Sequence, residues 1–194
     1  LKTALNQSTA AAVGKLGGAD GFLGNPKVRI PLPGKLDKAE KTLKMLGLGP
    51  KIDELKTAMN RAAEAAVPEG KTIFVNAVKR MTVQDAAAIL TGPSDAATQY
   101  FKRTTSAELT SKFLPIVSKA TAKVDLANRY DAVAGRARQL GLVDAADAKI
   151  ENYVTRKALD GLFLMMAEEE ASIRKNPLGQ ASKILQRVFG TLGN

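Results

Sequence analysis

A stretch rich in proline and glycine most limits what this chain can fold into. It covers residues 21–34, reads GFLGNPKVRIPLPG and contains three prolines and three glycines. Proline fixes its own φ and disfavours helical backbone in the preceding residue, so an α-helix cannot run through this segment. Val28, Ile30 and Leu32 alternate with Lys27, Arg29 and Pro31, which predicts an extended backbone with one apolar side. We call residues 21–34 the strap.

The remaining sequence predicts α-helices separated by glycine and proline. The clearest pattern follows Pro50, where Ile52, Leu55, Met59 and Ala62 repeat at helical spacing. Residues 152–175 contain the longest apolar run, at 162–167, which is typical of a buried helix. At 194 residues, the chain is long enough for one core. We therefore predict a single all-α domain over residues 1–194, with about nine helices. In this bundle the strap crosses the outside, and residues 159–167 form the buried central helix.

Several helix boundaries are predicted from capping sequences. TVQD at 82–85 and TSAE at 105–108 resemble capping boxes, in which a hydroxyl and a carboxylate satisfy the first amides of a helix. The second predicts a helix start at Thr105, followed by a kink or break at Pro115. Asn176 and Pro177 together predict the start of the last helix.

The composition excludes several classes of chemistry. The chain has no histidine and no cysteine, so it lacks imidazole bases, thiol nucleophiles and Cys/His zinc sites. We predict no metal and no cofactor. No apolar run approaches the ~18 residues of a transmembrane helix. The sequence begins at Leu1 rather than methionine, which is expected of a chain whose signal peptide has been removed and equally of a trimmed sequence.

The charge balance favours anionic partners. The chain has 29 basic and 19 acidic residues, for a net charge of +10. Lys27 and Arg29 of the strap, with Lys35 and Lys38 beyond it, are predicted to form a cationic cluster that binds an anionic ligand. The strap is alternatively only a belt that closes the helical core, and for the strap itself we favour this second interpretation.

A second candidate anion site lies in the motif YFKRTTS at 100–106. Arg103 would stand beside the free amides of a helix beginning at Thr105, an arrangement that suits phosphate. The same residues are also consistent with an aromatic anchor followed by an ordinary helix cap, and we favour that interpretation.

Charged residues on the helices are predicted to be structural. Arg61 and Glu64 lie within one turn and can pair, and Asn60 shares a face with Glu64. Asp160 stands at the edge of the apolar run. We predict that it forms a buried ion pair with Arg156, or with Arg61 or Arg103. Glu168, Glu169 and Glu170 point about 100° apart around a helix, so they cannot chelate one metal ion together.

Several blocks of the sequence resemble a known family. They are DGFLGNPKVRIPLPGKL, MNRAAEAAVPE, MTVQDA, ILTG, YFKRTTS, KFLPIV and KALDGLFLMMAEEE. Together they resemble a proteobacterial domain-of-unknown-function family whose members usually carry a signal peptide. The resemblance implies an exported, periplasmic protein, and it implies no reaction and no catalytic residues.

These observations favour a non-catalytic protein of the bacterial envelope that binds an anionic or amphipathic partner, such as a lipid, a glycan or a protein. One alternative is a hydrolase that uses carboxylates and arginine, with Asp160 at its centre. A nucleic-acid-binding module is another alternative, which the aromatic content of 5% disfavours.

Overall fold

The computed structural model describes residues 1–123, 125–142, 149–176 and 183–190, and within these ranges it contains helices and no β-strand. The predicted all-α fold is therefore confirmed. The helices are α1 (Lys2–Gly17), α2 (Lys35–Leu43), α3 (Gly49–Ala66), α4 (Gly70–Arg80), α5 (Val83–Thr91), α6 (Ala96–Lys123), α7 (Leu126–Gln139), α8 (Ile150–Lys175) and α9 (Lys183–Gly190). Pro177, the predicted first residue of the last helix, lies outside the described residues.

Helices α6 and α8 form the most extensive helix pair, and α8 also packs against α1 and α3. Buried apolar side chains from α1 to α8 make one continuous core. At its centre, Phe74 meets the rings of Phe101 and Phe163 edge-on, a favourable geometry for aromatic pairs. On α8, Leu162 is fully buried whereas Leu164 is 43% exposed, so one face of this helix reaches the surface.

The start of α6 differs from the sequence prediction. The helix begins at Ala96 and continues to Lys123, with Pro115 inside it. Thr105 is buried in the middle of the helix, where its hydroxyl donates to the carbonyl of Phe101 at 2.6 Å. The predicted TSAE capping box is therefore wrong. The Thr105 hydroxyl bonds to the carbonyl four residues earlier, as threonine inside a helix can, and does not cap a helix start. The capping box at Thr82 and Asp85 is confirmed.

The strap crosses α3 and α8 without being a helix. Its first half is a series of turns, and its second half is extended toward α2. Val28, Ile30 and Leu32 are buried whereas Lys27 and Arg29 are exposed, as the alternation predicts. A Cβ atom at Gly161 of α8 would lie 2.8 Å from Phe22 Cε1 and 3.1 Å from Val28 Cβ. Glycine at this position therefore lets the strap approach the backbone of α8 closely.

A wide π-helical turn at Lys44–Leu48 connects α2 to α3. Gly47 adopts φ +85° there, a left-handed backbone that favours glycine. Met45 and Leu46 in this turn are 72% and 55% exposed. Within the described ranges, no helix has the combination of length and apolarity that crossing a bilayer requires.

Candidate functional site

Two buried polar side chains of α3 hold the strap in place. The Ile30 N–H donates to Asn60 Oδ1 at 2.7 Å, and Asn60 Nδ2 donates to the Ile30 carbonyl at 3.1 Å. One turn later, Glu64 Oε1 accepts hydrogen bonds from the backbone N–H groups of Phe22 and Leu23, both at 3.0 Å. These bonds satisfy strap amides that a β-sheet would otherwise pair.

The predicted pairing of Arg61 with Glu64 is present, at 2.7 Å between Nη1 and Oε2. Arg61 also binds Asp20 at 2.9 Å, and these carboxylates raise its pKa. The sequence pattern showed that Asn60, Arg61 and Glu64 could lie on adjacent faces of one helix. It did not show that their partner is the strap, because that contact spans 30 to 42 residues of chain.

Tyr153 of α8 fixes the other side of the strap. Its hydroxyl donates to the carbonyl of Pro31 at 3.0 Å. Burial, together with the nearby charge of Asp37, raises the pKa of Tyr153 to about 12, so the phenol remains a hydrogen-bond donor through the neutral range. The strap is thus bound between α3 and α8, which supports its interpretation as a belt.

Two of the four cations that were predicted to cluster at the strap have partners within the protein. Lys27 forms an ion pair of 2.7 Å with Glu168, and Arg29 Nε donates to the carbonyl of Leu23 at 2.6 Å. Lys27 and Arg29 are thus bound to other groups of the protein, which supports the interpretation of the strap as a belt.

Arg103 does not stand beside a helix start. Because residues 96–123 are one helix, the amides around Thr105 are already bonded within α6, and the predicted phosphate corner is wrong. Arg103 instead lies 3.4 Å from Asp85 and over the ring of Tyr100 at 5.7 Å. Hydrogen bonds from Thr82 hold the pKa of Asp85 below its ordinary value. The pair of Asp85 and Arg103 thus joins α5 to α6.

The predicted buried ion pair of Asp160 is also wrong. Asp160 is exposed and forms no ion pair within the described ranges, and Arg156 lies over the ring of Tyr153 at 5.7 Å instead. The buried pair on α8 is Glu170 with Arg174, at 2.8 Å. Asp160 lies on the side of α8 that faces solvent, whereas Glu170 faces the start of α6.

Glu170 is a cap supplied from another helix. Its carboxylate accepts hydrogen bonds from the backbone N–H groups of Ala97 and Thr98, each at 2.9 Å, and from the Thr98 hydroxyl at 2.9 Å. Free amides and the positive end of the helix dipole both favour a carboxylate at this position. This contact joins α8 to the first turn of α6 and explains why α6 begins at Ala96.

The three consecutive glutamates of α8 have three different partners. Glu168 binds Lys27 of the strap, Glu169 binds Lys15 of α1 at 3.2 Å, and Glu170 binds the start of α6. The three glutamates therefore connect the strap, α1 and α6 to α8. No cluster of three or more acidic side chains suited to a metal ion occurs among the residues that the structure describes.

A groove of about 800 Å³ lies between α3, the C-terminal half of α6 and the start of α7. Small and aliphatic side chains form its floor, namely Ala58, Ala62, Ala65, Ile116 and Ala120. Charged side chains also line it, namely Arg61, Lys119, Lys123, Arg129, Asp53 and Glu54. The groove thus combines an apolar surface with four cations and two anions.

Most of these charged side chains are already paired. Arg129 binds Glu54, and Asp53 binds Lys44 at 2.9 Å. Lys119 and Lys123 lie one turn apart on α6 and form no ion pair or hydrogen bond with any residue in the described ranges. They are the lining cations available to an anionic ligand.

The groove has two different ends. Gly70, which follows α3, packs against Leu109 and Phe113 of α6, while Glu54 near the start of α3 binds Arg129 just beyond α6. Helices α3 and α6 therefore run antiparallel. This direction places Lys123 toward the start of α3, and the alanines of the floor extend away from it. Helical periodicity does not indicate this site, because its two walls lie about 60 residues apart in the chain.

Comparison with known proteins gives a family without an assigned function. A family described as "Protein of unknown function (DUF4197)" matches residues 1–190. No curated protein and no solved structure shows significant similarity to the chain.

Proposed function

We propose that this chain, which belongs to the DUF4197 family of proteins of unknown function, is a non-catalytic protein that binds a single-chain anionic amphiphile in the groove between α3 and α6. One observation carries the proposal: Lys119 and Lys123, which have no partner among the described residues, stand beside a floor of alanine and isoleucine side chains. Single-chain anionic amphiphiles are a specific class within the anionic or amphipathic partners that the sequence favours.

The two parts of such a ligand match the two parts of the groove. Binding is favourable when a hydrocarbon chain covers apolar surface, because both are then removed from water. The small alanine side chains leave room for such a chain along α3. A carboxylate or phosphate headgroup would accept charge-assisted hydrogen bonds from Lys119 and Lys123. The volume of about 800 Å³ is within the range of small-molecule sites.

A hydrolase has less support. That alternative required a desolvated acid at Asp160, and Asp160 is exposed. The composition also lacks histidine and cysteine, which removes two common catalytic groups. The binding interpretation needs only groups that the groove contains.

A fluorescent long-chain fatty acid tests the proposal, with the corresponding long-chain alcohol as a neutral probe. The double variant Lys119→Glu, Lys123→Glu should bind the acid at least about tenfold more weakly, because two favourable charge contacts become unfavourable. The matched control, Lys102→Glu with Lys112→Glu, changes the same charge at exposed positions of α6 outside the groove. Equal weakening by both double variants would contradict the proposal.

A second variant tests the apolar floor. Ala65 is an exposed alanine of the groove floor, so Ala65→Trp should fill part of the groove while leaving the melting temperature nearly unchanged. We expect weaker binding of both probes. Unchanged binding would place the ligand elsewhere, and tight competition by single-stranded nucleic acid would favour the nucleic-acid alternative.

The proposed location is the bacterial envelope. It is supported by the resemblance of the strap and of the KALDGLFLMMAEEE block to an exported family. Fractionation of cells that express the complete natural gene tests it, with release in the periplasmic fraction as the expected result. Retention in the cytosolic fraction would contradict it.

A further inference from the structure

The turn after α2 exposes two adjacent large apolar side chains. Met45 is 72% exposed and Leu46 is 55% exposed. The other exposed large apolar residues of the described ranges are isolated from one another in the sequence, namely Val83, Leu140, Leu164 and Ile184. Single exposed apolar residues are ordinary, whereas an adjacent pair at a turn requires an explanation.

The backbone explains how these side chains reach the surface. Helix α2 buries Leu36, Ala39 and Leu43 against the core, and the chain leaves that face at the wide turn beginning at Lys44. Gly47, with φ +85°, then redirects the chain into α3. Met45 and Leu46 therefore lie where the chain reverses, outside the apolar core.

Unpaired lysines surround this turn. Lys38, Lys41 and Met45 follow each other at intervals of three and four residues, so the two lysines share the outer face that leads to Met45. Both lysines are exposed, and within the described ranges neither forms an ion pair. Lys51, in the first turns of α3, is likewise exposed and without an ion pair in the described part of the chain.

Two of the neighbouring acids, Glu40 and Asp53, are neutralised within the protein. Glu40 binds both Lys44 and Lys56 at 3.0 Å, and Lys44 also binds Asp53 at 2.9 Å. These ion pairs join α2 to α3 and thus hold the turn. Asp37, beside Lys38, is exposed and has no ion pair within the described ranges, so it offsets one of the three lysines. The outer surface near Met45 therefore keeps a net positive charge from Lys38, Lys41 and Lys51.

We infer that the turn Lys44–Leu48, with Lys38 and Lys41 beside it, is a docking surface for an anionic phospholipid bilayer. Met45 and Leu46 enter the interfacial region, and the lysines contact lipid headgroups. A stable protein partner usually needs about 800 Å² of surface on each side, far more than two side chains provide. Weak, reversible membrane association combines burial of apolar side chains with electrostatic attraction of lysines to anionic lipids, and this turn offers both. This inference is independent of the groove.

Vesicle flotation tests the inference with phosphatidylglycerol and phosphatidylcholine as probes. The wild-type chain should bind vesicles rich in phosphatidylglycerol, bind pure phosphatidylcholine at least about tenfold more weakly, and dissociate as salt is raised. Met45→Ser with Leu46→Ser should weaken binding about tenfold or more. The matched control is Val83→Ser, which removes an apolar side chain that is 82% exposed on another helix and should leave binding unchanged.

Charge variants give a second readout. Lys38→Glu with Lys41→Glu should weaken binding about tenfold or more, and Lys102→Glu with Lys112→Glu should weaken it much less. All these positions are exposed, so the melting temperatures should stay close to that of the wild type. Equal binding to both lipids, no binding to either, or full binding by the Met45 and Leu46 variant would each overturn the inference.

The groove variants separate the two proposals. Ala65→Trp should leave vesicle binding unchanged even where it abolishes fatty-acid binding. If Ala65→Trp removes vesicle binding and the Met45 and Leu46 variant does not, the groove is the part of the protein that contacts the bilayer. The inference that the turn Lys44–Leu48 is the docking surface would then be wrong.

Discussion

The side chain of Asn60 pairs with both backbone polar groups of Ile30. The Ile30 N–H donates to Asn60 Oδ1 at 2.7 Å, and Asn60 Nδ2 donates to the Ile30 carbonyl at 3.1 Å, with Asn60 fully buried. A carboxamide has a donor and an acceptor in one plane, as a peptide group does. Asn60 therefore takes the place of a neighbouring β-strand and allows an extended segment to cross a helical core.

Asn60→Ala should lower the free energy of unfolding by about 2–3 kcal/mol, because the polar groups of Ile30 would remain buried without partners. Urea denaturation followed by circular dichroism measures the change. Thr57→Ala, an exposed substitution on the same helix, should stay within about 0.5 kcal/mol. Equal stability of the two variants would show that the strap is not held by Asn60.

Glu170→Ala should be among the most destabilising substitutions, with a loss of about 3 kcal/mol. It removes the cap of α6 and also the carboxylate that forms an ion pair with the largely buried Arg174. Thermal unfolding measures the loss of stability in Glu170→Ala and in the adjacent control, Glu169→Ala. Glu169 is less buried and, among the residues that the structure describes, pairs with the exposed Lys15 alone, so a similar loss in both variants would contradict the assigned role.

Asp160→Ala should change the free energy of unfolding by less than about 0.5 kcal/mol, because the carboxylate is exposed and has no ion-pair partner within the described ranges. Urea denaturation measures it. A loss near 3 kcal/mol would instead indicate the buried ion pair that the sequence suggested.

Two glycine-to-alanine substitutions should have opposite effects. Gly161→Ala should destabilise the protein by about 1–3 kcal/mol, because its new Cβ would meet Phe22 and Val28 at 2.8 and 3.1 Å. Gly14→Ala, at an exposed position inside α1 with no atom within 4 Å of its Cβ, should stabilise by about 0.5–1 kcal/mol. Thermal melts of both variants test this difference, and a stabilised Gly161→Ala would show that the strap does not lie tightly on α8.

Tyr153 should make stability depend on alkaline pH. Its pKa is raised to about 12 from the ordinary value of 10, so the folded state favours the protonated phenol. The stabilising contribution is fully present below pH 10 and is lost as pH rises toward 12. Unfolding free energies of the wild type and Tyr153→Phe should therefore converge over this interval. A constant difference across it would contradict the raised pKa.

The sequence by itself determined the features that have local causes. Prolines excluded a helix from the strap, and the alternation of Val28, Ile30 and Leu32 identified its buried side. The capping box at Thr82 was also readable, because both of its partners lie within four residues. The pairing of Arg61 with Glu64 followed from their spacing on one helix turn.

The tertiary structure alone decided which carboxylates were buried and where an open groove remained. Asp160 and Glu170 lie on the same helix, and only the packing of α6 against α8 leaves the first exposed and buries the second. The cap of α6 comes from Glu170, more than 70 residues away, so the local sequence could not identify the capping residue. The groove depends on α3 and α6 lying side by side, a contact between distant segments that helical periodicity cannot specify. Periodicity fixes which face of a helix is apolar, whereas burial and ion pairing depend on which other helix covers that face.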